Sequence, residues 1–270
     1  MLINGEADDR IDVLDRGLQY GDGLFETLRV RAGRPCLWAA HLARLRWGCE
    51  RLGIAMPAEA RLRDEAGRLC AGLDDGVLKI VLTRGPGGRG YRPPRDARPT
   101  RLLAVFPAPD YPPQYAQAGV AARLCDTRLG LNPALAGLKH LNRLEQVLAR
   151  AEWDEPDIAE GLMLDIEGNV IEGTMSNLFM VRAGRLCTPG LSRCGVAGVM
   201  RARVMAEAGA QGIPLEEGRI GLRDLAAADE LFLTNSVIGV WPVRRLDGRD
   251  YAAPGPLTAR LAAAVEAADV

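Results

Sequence analysis

Lysine is almost missing from this chain of 270 residues. Of its 34 basic Lys and Arg positions, only Lys79 and Lys139 are lysines. Histidine is as rare, with only His41 and His140, which excludes a His-rich metal site, and no HExxH, EF-hand or zinc-ligand spacing occurs. Six cysteines are scattered (Cys36, Cys49, Cys70, Cys125, Cys187, Cys194) with no C-x-x-C pair, so free thiols in a reducing cytoplasm are expected rather than disulfides. No run of about 18 apolar residues is present to cross a membrane, and the start MLINGEADDR lacks the basic-then-apolar pattern of a secretory signal. The net charge of −1 gives no reason to expect nucleic acid or an anionic membrane as partner. A hydrophobic fraction of 48% over this length suits one large or two medium folded domains.

The scarcity of lysine directs attention to the two that remain. A coding bias towards arginine explains the excess of guanidinium groups, and where only positive charge is needed arginine serves. Where a neutral amine must act as nucleophile it cannot, because guanidinium stays protonated. Lys139 lies in GLKHLNRLEQVLAR (137–150), where Leu138, Leu141, Leu144 and Leu148 predict an amphipathic helix. It is then either a surface lysine at a helix start or an amine that forms a Schiff base after losing its charge. Lys79, inside the strand-like VLKIVLTR, is its competitor, or a strand-face lysine with a snorkelling stem.

Along the chain, LINGE and LFETLRV read as strands, with a hairpin centre at Ala32-Gly33. Helices are expected at 38–53 and about 58–71, and strands at 77–84 and 102–106. FPAPDYPPQY, with four prolines in ten residues, marks a boundary. Expected are an N-terminal domain at 1–107, a linker at 108–118 and a larger domain at 119–270 carrying Lys139. In that second half GLMLDIEGNVIEG and NLFMVRAGRLCTP read as hairpins, GVAGVMRARVMAEA as a helix, ELFLTNS and GVWPVRRL as strands, and 256–268 as a closing helix. Strands in antiparallel-looking groups with helices between them favour a mixed α/β, α+β class over a doubly wound parallel sheet.

Other motifs are weaker. GVAGVMR (195–201) opens a helix with glycines, where free N–H groups can meet an anion, or is an ordinary helix start. TNS (234–236) adds small polar donors or is a polar turn. Glu172, at a strand end, can hold a proton on a heterocyclic nitrogen or be a solvated turn residue. Arg44 in HLARL can hold a phosphate or belong to a solvated helix face. TRGPGGRGY (83–91) is neither GxGxxG nor a P-loop; it reads as a mobile loop over a pocket, carrying Arg84, Arg89 and Tyr91.

Together these segments resemble the fold-type IV pyridoxal-phosphate enzymes, the group of class IV aminotransferases and their relatives. The resemblance rests on DRGLQYGDGLFETLRV (15–30), HLARL (41–45), GVLKIVLTRGPGGRGY (76–91), RLGLNPALAGLKHLNRLEQVLAR (128–150), LDIEGNVIEGTMSNLF (164–179) and TPGLSRCGVAGVMR (188–201). It implies two α/β domains with pyridoxal 5'-phosphate in the cleft between them, and a homodimer. It implies that Lys139 holds the cofactor, Glu172 pairs with its ring nitrogen, and Arg44 binds its phosphate. The backbone of Val196 and Ala197, with Asn235 and Ser236, would complete the phosphate cup. TRGPGGRGY and GLKHLNRLEQVLAR resemble most the lyases of the group. These split 4-amino-4-deoxychorismate into 4-aminobenzoate and pyruvate on the way to folate. The alternative is an aminotransferase acting on D- or branched-chain amino acids, which shares the lysine, glutamate and cup. Glu26-Thr27 is compatible with both. Arg29, Arg84, Arg89 and Tyr91 are the candidates for binding the dicarboxylate substrate. No metal is expected.

Overall fold

The computed structural model describes residues 1–267; position 268 of the expected closing helix lies outside them. The chain divides into two compact units. The first holds Met1–Asp110 together with Leu138–Asn142; the second holds Tyr111–Gly137 and the chain from Arg143 onward.

The first unit is built on β1 (Leu2–Ile3), α1 (Arg16–Tyr20), β2 (Gly23–Arg31), β3 (Arg34–Pro35), α2 (Trp38–Leu52), α3 (Glu59–Cys70), β4 (Asp75–Thr83) and β5 (Arg101–Pro107). Its five strands form an antiparallel sheet in the order β1-β5-β4-β2-β3. Ala32 and Gly33 both take positive φ, as a tight hairpin turn between β2 and β3 requires. Strand alternation separates two faces. Leu24, Leu28 and Val30 of β2 and Leu78, Ile80 and Leu82 of β4 are buried with Leu42, Leu45 and Leu62 of the helices. Phe25, Thr27 and Arg29, opposite Val81, Lys79 and Val77, form the other face. Glu26 is the charged residue set among the apolar ones, only 1% exposed.

The second unit contains α4 (Gln114–Gln117), β6 (Val120–Leu124), α5 (Leu144–Arg150), β7 (Ile158–Leu164), β8 (Val170–Gly173), β9 (Asn177–Arg182) and β10 (Arg185–Pro189). It continues through α6 (Val199–Ala210), β11 (Leu215–Gly218), α7 (Leu222–Ala226), β12 (Glu230–Asn235), β13 (Gly239–Leu246), β14 (Arg249–Asp250) and α8 (Pro256–Ala267). The sheet runs β11-β10-β9-β12-β13-β6-β7-β8, with β14 on β13. Contacts of β6 with β7 and β13, and of β10 with β11, are parallel, so the sheet is mixed. A further β8–β9 pairing closes β9, β12, β13, β6, β7 and β8 into a ring, and its seam is the pair Glu172–Asn177. Val120, Leu162, Val170, Leu178, Leu231, Leu233 and Val243 give one core drawn from every strand of that ring.

The structure departs from the expected helix over 137–150. Helix α5 starts only at Leu144, and Leu138–Asn142 is extended. His140 bridges Leu24, the Phe25 N–H donates to the Lys139 carbonyl at 2.9 Å, and the Leu141 N–H donates to the Gly23 carbonyl at 3.0 Å. Pairing with β2 thus overrides the leucine spacing. It also assigns Lys139 to the first unit rather than to the C-terminal domain expected from its place in the chain. Leu144, Val147 and Leu148 on α5 are exposed.

Candidate active site

In the first unit, backbone pairing on both sides of Lys139 fixes where its side chain starts. Its Nζ lies 4.3 Å from the centroid of the Phe25 ring. Arg44, on α2, is aimed by a buried carboxylate: Nε donates to Glu26 Oε1 at 2.8 Å and Nη2 to Oε2 at 2.5 Å. His41, one turn earlier, places Nδ1 2.6 Å from Glu26 Oε2. Burial pushes the Glu26 carboxyl up, but the Arg44 charge and the hydrogen bonds from Arg44 and His41 outweigh it, and the group is held below its ordinary value. Burial also drives the His41 imidazole below its ordinary value despite Glu26. The cluster is therefore Arg⁺, Glu⁻ and a neutral imidazole that donates from Nδ1.

In the second unit, Glu172 is 3% exposed and accepts the Val196 N–H at 2.8 Å. Arg143 adds its positive charge: burial lowers the guanidinium's own value, and Glu172 and Glu145 pull it back up. Asn177, across the seam, donates from Nδ2 to the Val196 carbonyl at 2.9 Å. One peptide neighbourhood is thus gripped by both residues of the ring closure. A Cβ on Gly198 would lie 1.9 Å from Asn177 Oδ1, so glycine is needed for the close approach.

Val196 and Ala197 of the expected phosphate cup have backbone N–H groups with partners inside the unit. The Val196 N–H is taken by Glu172, and the Ala197 N–H donates to the Gly137 carbonyl at 3.0 Å, because 196–197 run alongside Gly137 before the helix begins. Helix α6 starts three residues later, with Gly198 as a cap that offers no side-chain acceptor. The first helix-type bond runs from Ala202 N–H to Gly198 carbonyl. Among the described residues no protein group accepts the N–H of Val199, Met200 or Arg201, and these are the donors that an anion can use. Asn235 is occupied in its own turn: Oδ1 accepts from Val237 and Ile238 N–H at 2.8 and 2.9 Å, and Nδ2 donates to the Met175 carbonyl at 3.1 Å. Ser236 beside it is half-buried.

The four substrate candidates fall into different settings. Arg84 is buried and committed to the scaffold: Nε and Nη2 donate to Asp22, Nη1 to the Gly53 carbonyl, and Nη2 also to the Leu52 carbonyl, capping the end of α2. Arg29 is paired in a fork with Asp75. Arg89 and Tyr91 are exposed on the glycine loop. That loop is anchored rather than loose, since Arg16 donates to the Gly90 and Tyr91 carbonyls at 2.9 Å each. Phe25 and Asn177 were not picked out from sequence, and Glu26 only as part of a pair compatible with both activities; the strand register and the ring closure bring them to these positions.

The donor set fits pyridoxal phosphate. The open N–H groups of α6 suit its phosphate, and a buried carboxylate that accepts a backbone N–H and feels the Arg143 charge suits a protonated ring nitrogen. Comparison with known proteins agrees. Residues 23–246 match the amino-transferase class IV family, and the chain belongs to it. Within that family it is similar to aminodeoxychorismate lyase of Vibrio harveyi, at 39% identity over 89% of each chain. It is also similar to the crystal structure of 4-amino-4-deoxychorismate lyase from Pseudomonas aeruginosa, at 52% identity, TM-score 0.94 and 98% of each chain. A putative branched-chain-amino-acid aminotransferase of Methanocaldococcus jannaschii is 34% identical over 92% of this chain and 88% of its own length.

Proposed function

We propose that this chain is a pyridoxal-phosphate-dependent lyase that converts 4-amino-4-deoxychorismate into 4-aminobenzoate and pyruvate. The observation that carries the reading is the 52% identity over 98% of both chains with a lyase of that name. The placement of Lys139 and Glu172 supports it. Lys139 would hold the cofactor through its amine, with Glu172 at the ring nitrogen. Arg44 and the N–H groups of Val199 and Met200 would meet the phosphate, with Ser236 as a further donor. When bound, the cofactor supplies an electron sink for the substrate carbon that bears nitrogen.

The chain's own groups then divide the work. Glu172 would hold a proton on the ring nitrogen. Lys139, as a neutral amine, takes the proton from the substrate carbon. Arg89 and Tyr91, the exposed pair on an anchored loop, are the better candidates for the substrate carboxylates; Arg84 is the poorest. A homodimer in the cytoplasm belongs to the same proposal. Exposed Val13, Leu14 and Leu18 in the first unit and Leu144, Val147 and Leu148 in the second offer apolar surface to a second copy, and none of the six cysteines is in a disulfide. No helix among the described residues is long and apolar enough to cross a membrane.

The test is direct. Purified protein should absorb in the visible, and borohydride should trap the cofactor on Lys139. Added aminodeoxychorismate should yield 4-aminobenzoate and pyruvate with no keto acid present. Lys139→Ala should abolish trapping and turnover while the protein stays folded. An absolute requirement for a keto-acid acceptor would make the chain an aminotransferase instead, and trapping that survives the substitution would remove Lys139.

A further inference from the structure

Both lysines of the chain converge on one aromatic ring. Lys139 Nζ lies 4.3 Å and Lys79 Nζ 5.5 Å from the centroid of Phe25. The register brings Lys79 there. Phe25 pairs with Val81 and Thr27 with Lys79, so Phe25 and Lys79 are diagonal neighbours on the same face of the sheet. We propose that Lys79 is a positioning residue for Lys139: its charge makes a second ammonium beside Phe25 unfavourable and keeps the Lys139 amine available in its neutral form. The proposal rests on the reading of Lys139 as the cofactor lysine and deepens it.

The physical argument has three parts. An aromatic face attracts a cation, so Phe25 by itself would hold the proton on Lys139. A second cation near the same ring opposes that. Two nitrogens within 5.5 Å of one point are at most about 10 Å apart, a range at which half-buried charges are screened less than exposed ones. Finally, other charged groups of the same unit are already paired. Glu26 and Arg44 form an ion pair, and Arg29, further along the same face, is paired with Asp75. His41, whose own titration feels the Lys139 charge, is held neutral by burial, and His140 follows Lys139 in the chain. Lys79 forms no ion pair among the described residues. Its identity also fits: in a chain that otherwise uses arginine, a flat guanidinium at 79 would stack over the ring that Lys139 approaches, whereas an ammonium is compact.

The small number of lysines makes the test clean. Cofactor-free protein is reductively methylated with carbon-13 formaldehyde. Only two lysine signals and that of the N-terminus then titrate in the NMR spectrum, and Lys139→Ala assigns the one of interest. Lys79→Met, or Lys79→Gln if the first variant does not fold, should raise the Lys139 midpoint by about one pH unit. Lys79→Arg should leave it near the wild-type value. An unmoved midpoint in Lys79→Met, or an equal rise in Lys79→Arg, overturns the proposal. Because the measurement is made without cofactor, its outcome is separate from the borohydride trap. Loss of Lys79's effect with trapping intact refutes only the role of Lys79, while trapping elsewhere refutes the assignment of Lys139.

Discussion

Replacing Gly198 by alanine tests how the ring seam shapes the start of α6. Backbone strain does not enter, because Gly198 has φ −65 and ψ 139, which alanine adopts freely. The effect is steric. The new methyl would sit 1.9 Å from Asn177 Oδ1, so the amide must move by more than an ångström. In moving it gives up its 2.9 Å bond to the Val196 carbonyl. The half-buried Val196 carbonyl left without its donor costs about 1–3 kcal/mol. Val196 also donates to Glu172, so the disturbance passes to the carboxylate and to the N–H groups that follow. If half of that cost falls on the cofactor-binding geometry, affinity for pyridoxal phosphate drops about 3- to 10-fold. The assay is titration of cofactor-free protein followed by fluorescence quenching, with unfolding midpoints measured alongside. Asn177→Ala removes the obstructing oxygen, so the double variant should be no worse than Asn177→Ala alone, a strongly non-additive cycle. Additive losses, or wild-type affinity in Gly198→Ala, would refute the steric reasoning.

Two further outcomes follow from the first unit. Glu26→Gln removes the buried carboxylate that Nε and Nη2 of Arg44 meet and should lower stability at pH 7 by about 3 kcal/mol in chemical denaturation. The folded Glu26 carboxyl titrates below its ordinary value, so its stabilisation is complete above about pH 4.3 and is lost as the pH falls through the depressed value. Wild type and variant should therefore converge in acid; a constant gap down to pH 2 would contradict the ion-pair account. Arg84→Met should destabilise by about 1–3 kcal/mol, since two carbonyls at the end of α2 lose their donor while Asp22 keeps that of Arg16. The folded fraction should keep its KM for substrate, and a tenfold rise in KM at unchanged stability would return Arg84 to the substrate.

Much of the strand plan was legible because alternation and turn residues are local. Phe25, Glu26 and the Ala32-Gly33 hairpin sit where the pattern of LFETLRV and its turn put them. The helix over 137–150 was misplaced because its first leucines serve an extended segment that pairs with residues more than a hundred positions away. The open N–H groups of α6 lie beyond Val196 and Ala197 for a related reason. GVAGVMR shows glycines near a helix start, but which glycine caps it depends on the pairing of Val196 with Gly137. Lys139 stood out by rarity alone. That both lysines meet the Phe25 ring is set by strand register and backbone pairing, which local sequence does not show.

The first unit is not a continuous piece of chain, and this bears on how it is made. Its opening 110 residues are synthesised before Lys139, and Leu138–Asn142 must join β2 as a latecomer. At roughly 5–20 residues per second, several seconds separate the two. A fragment ending in the Pro-rich stretch would therefore carry an unfilled place beside β2, and a peptide supplied in trans with the sequence of 138–142 is the natural piece to occupy it.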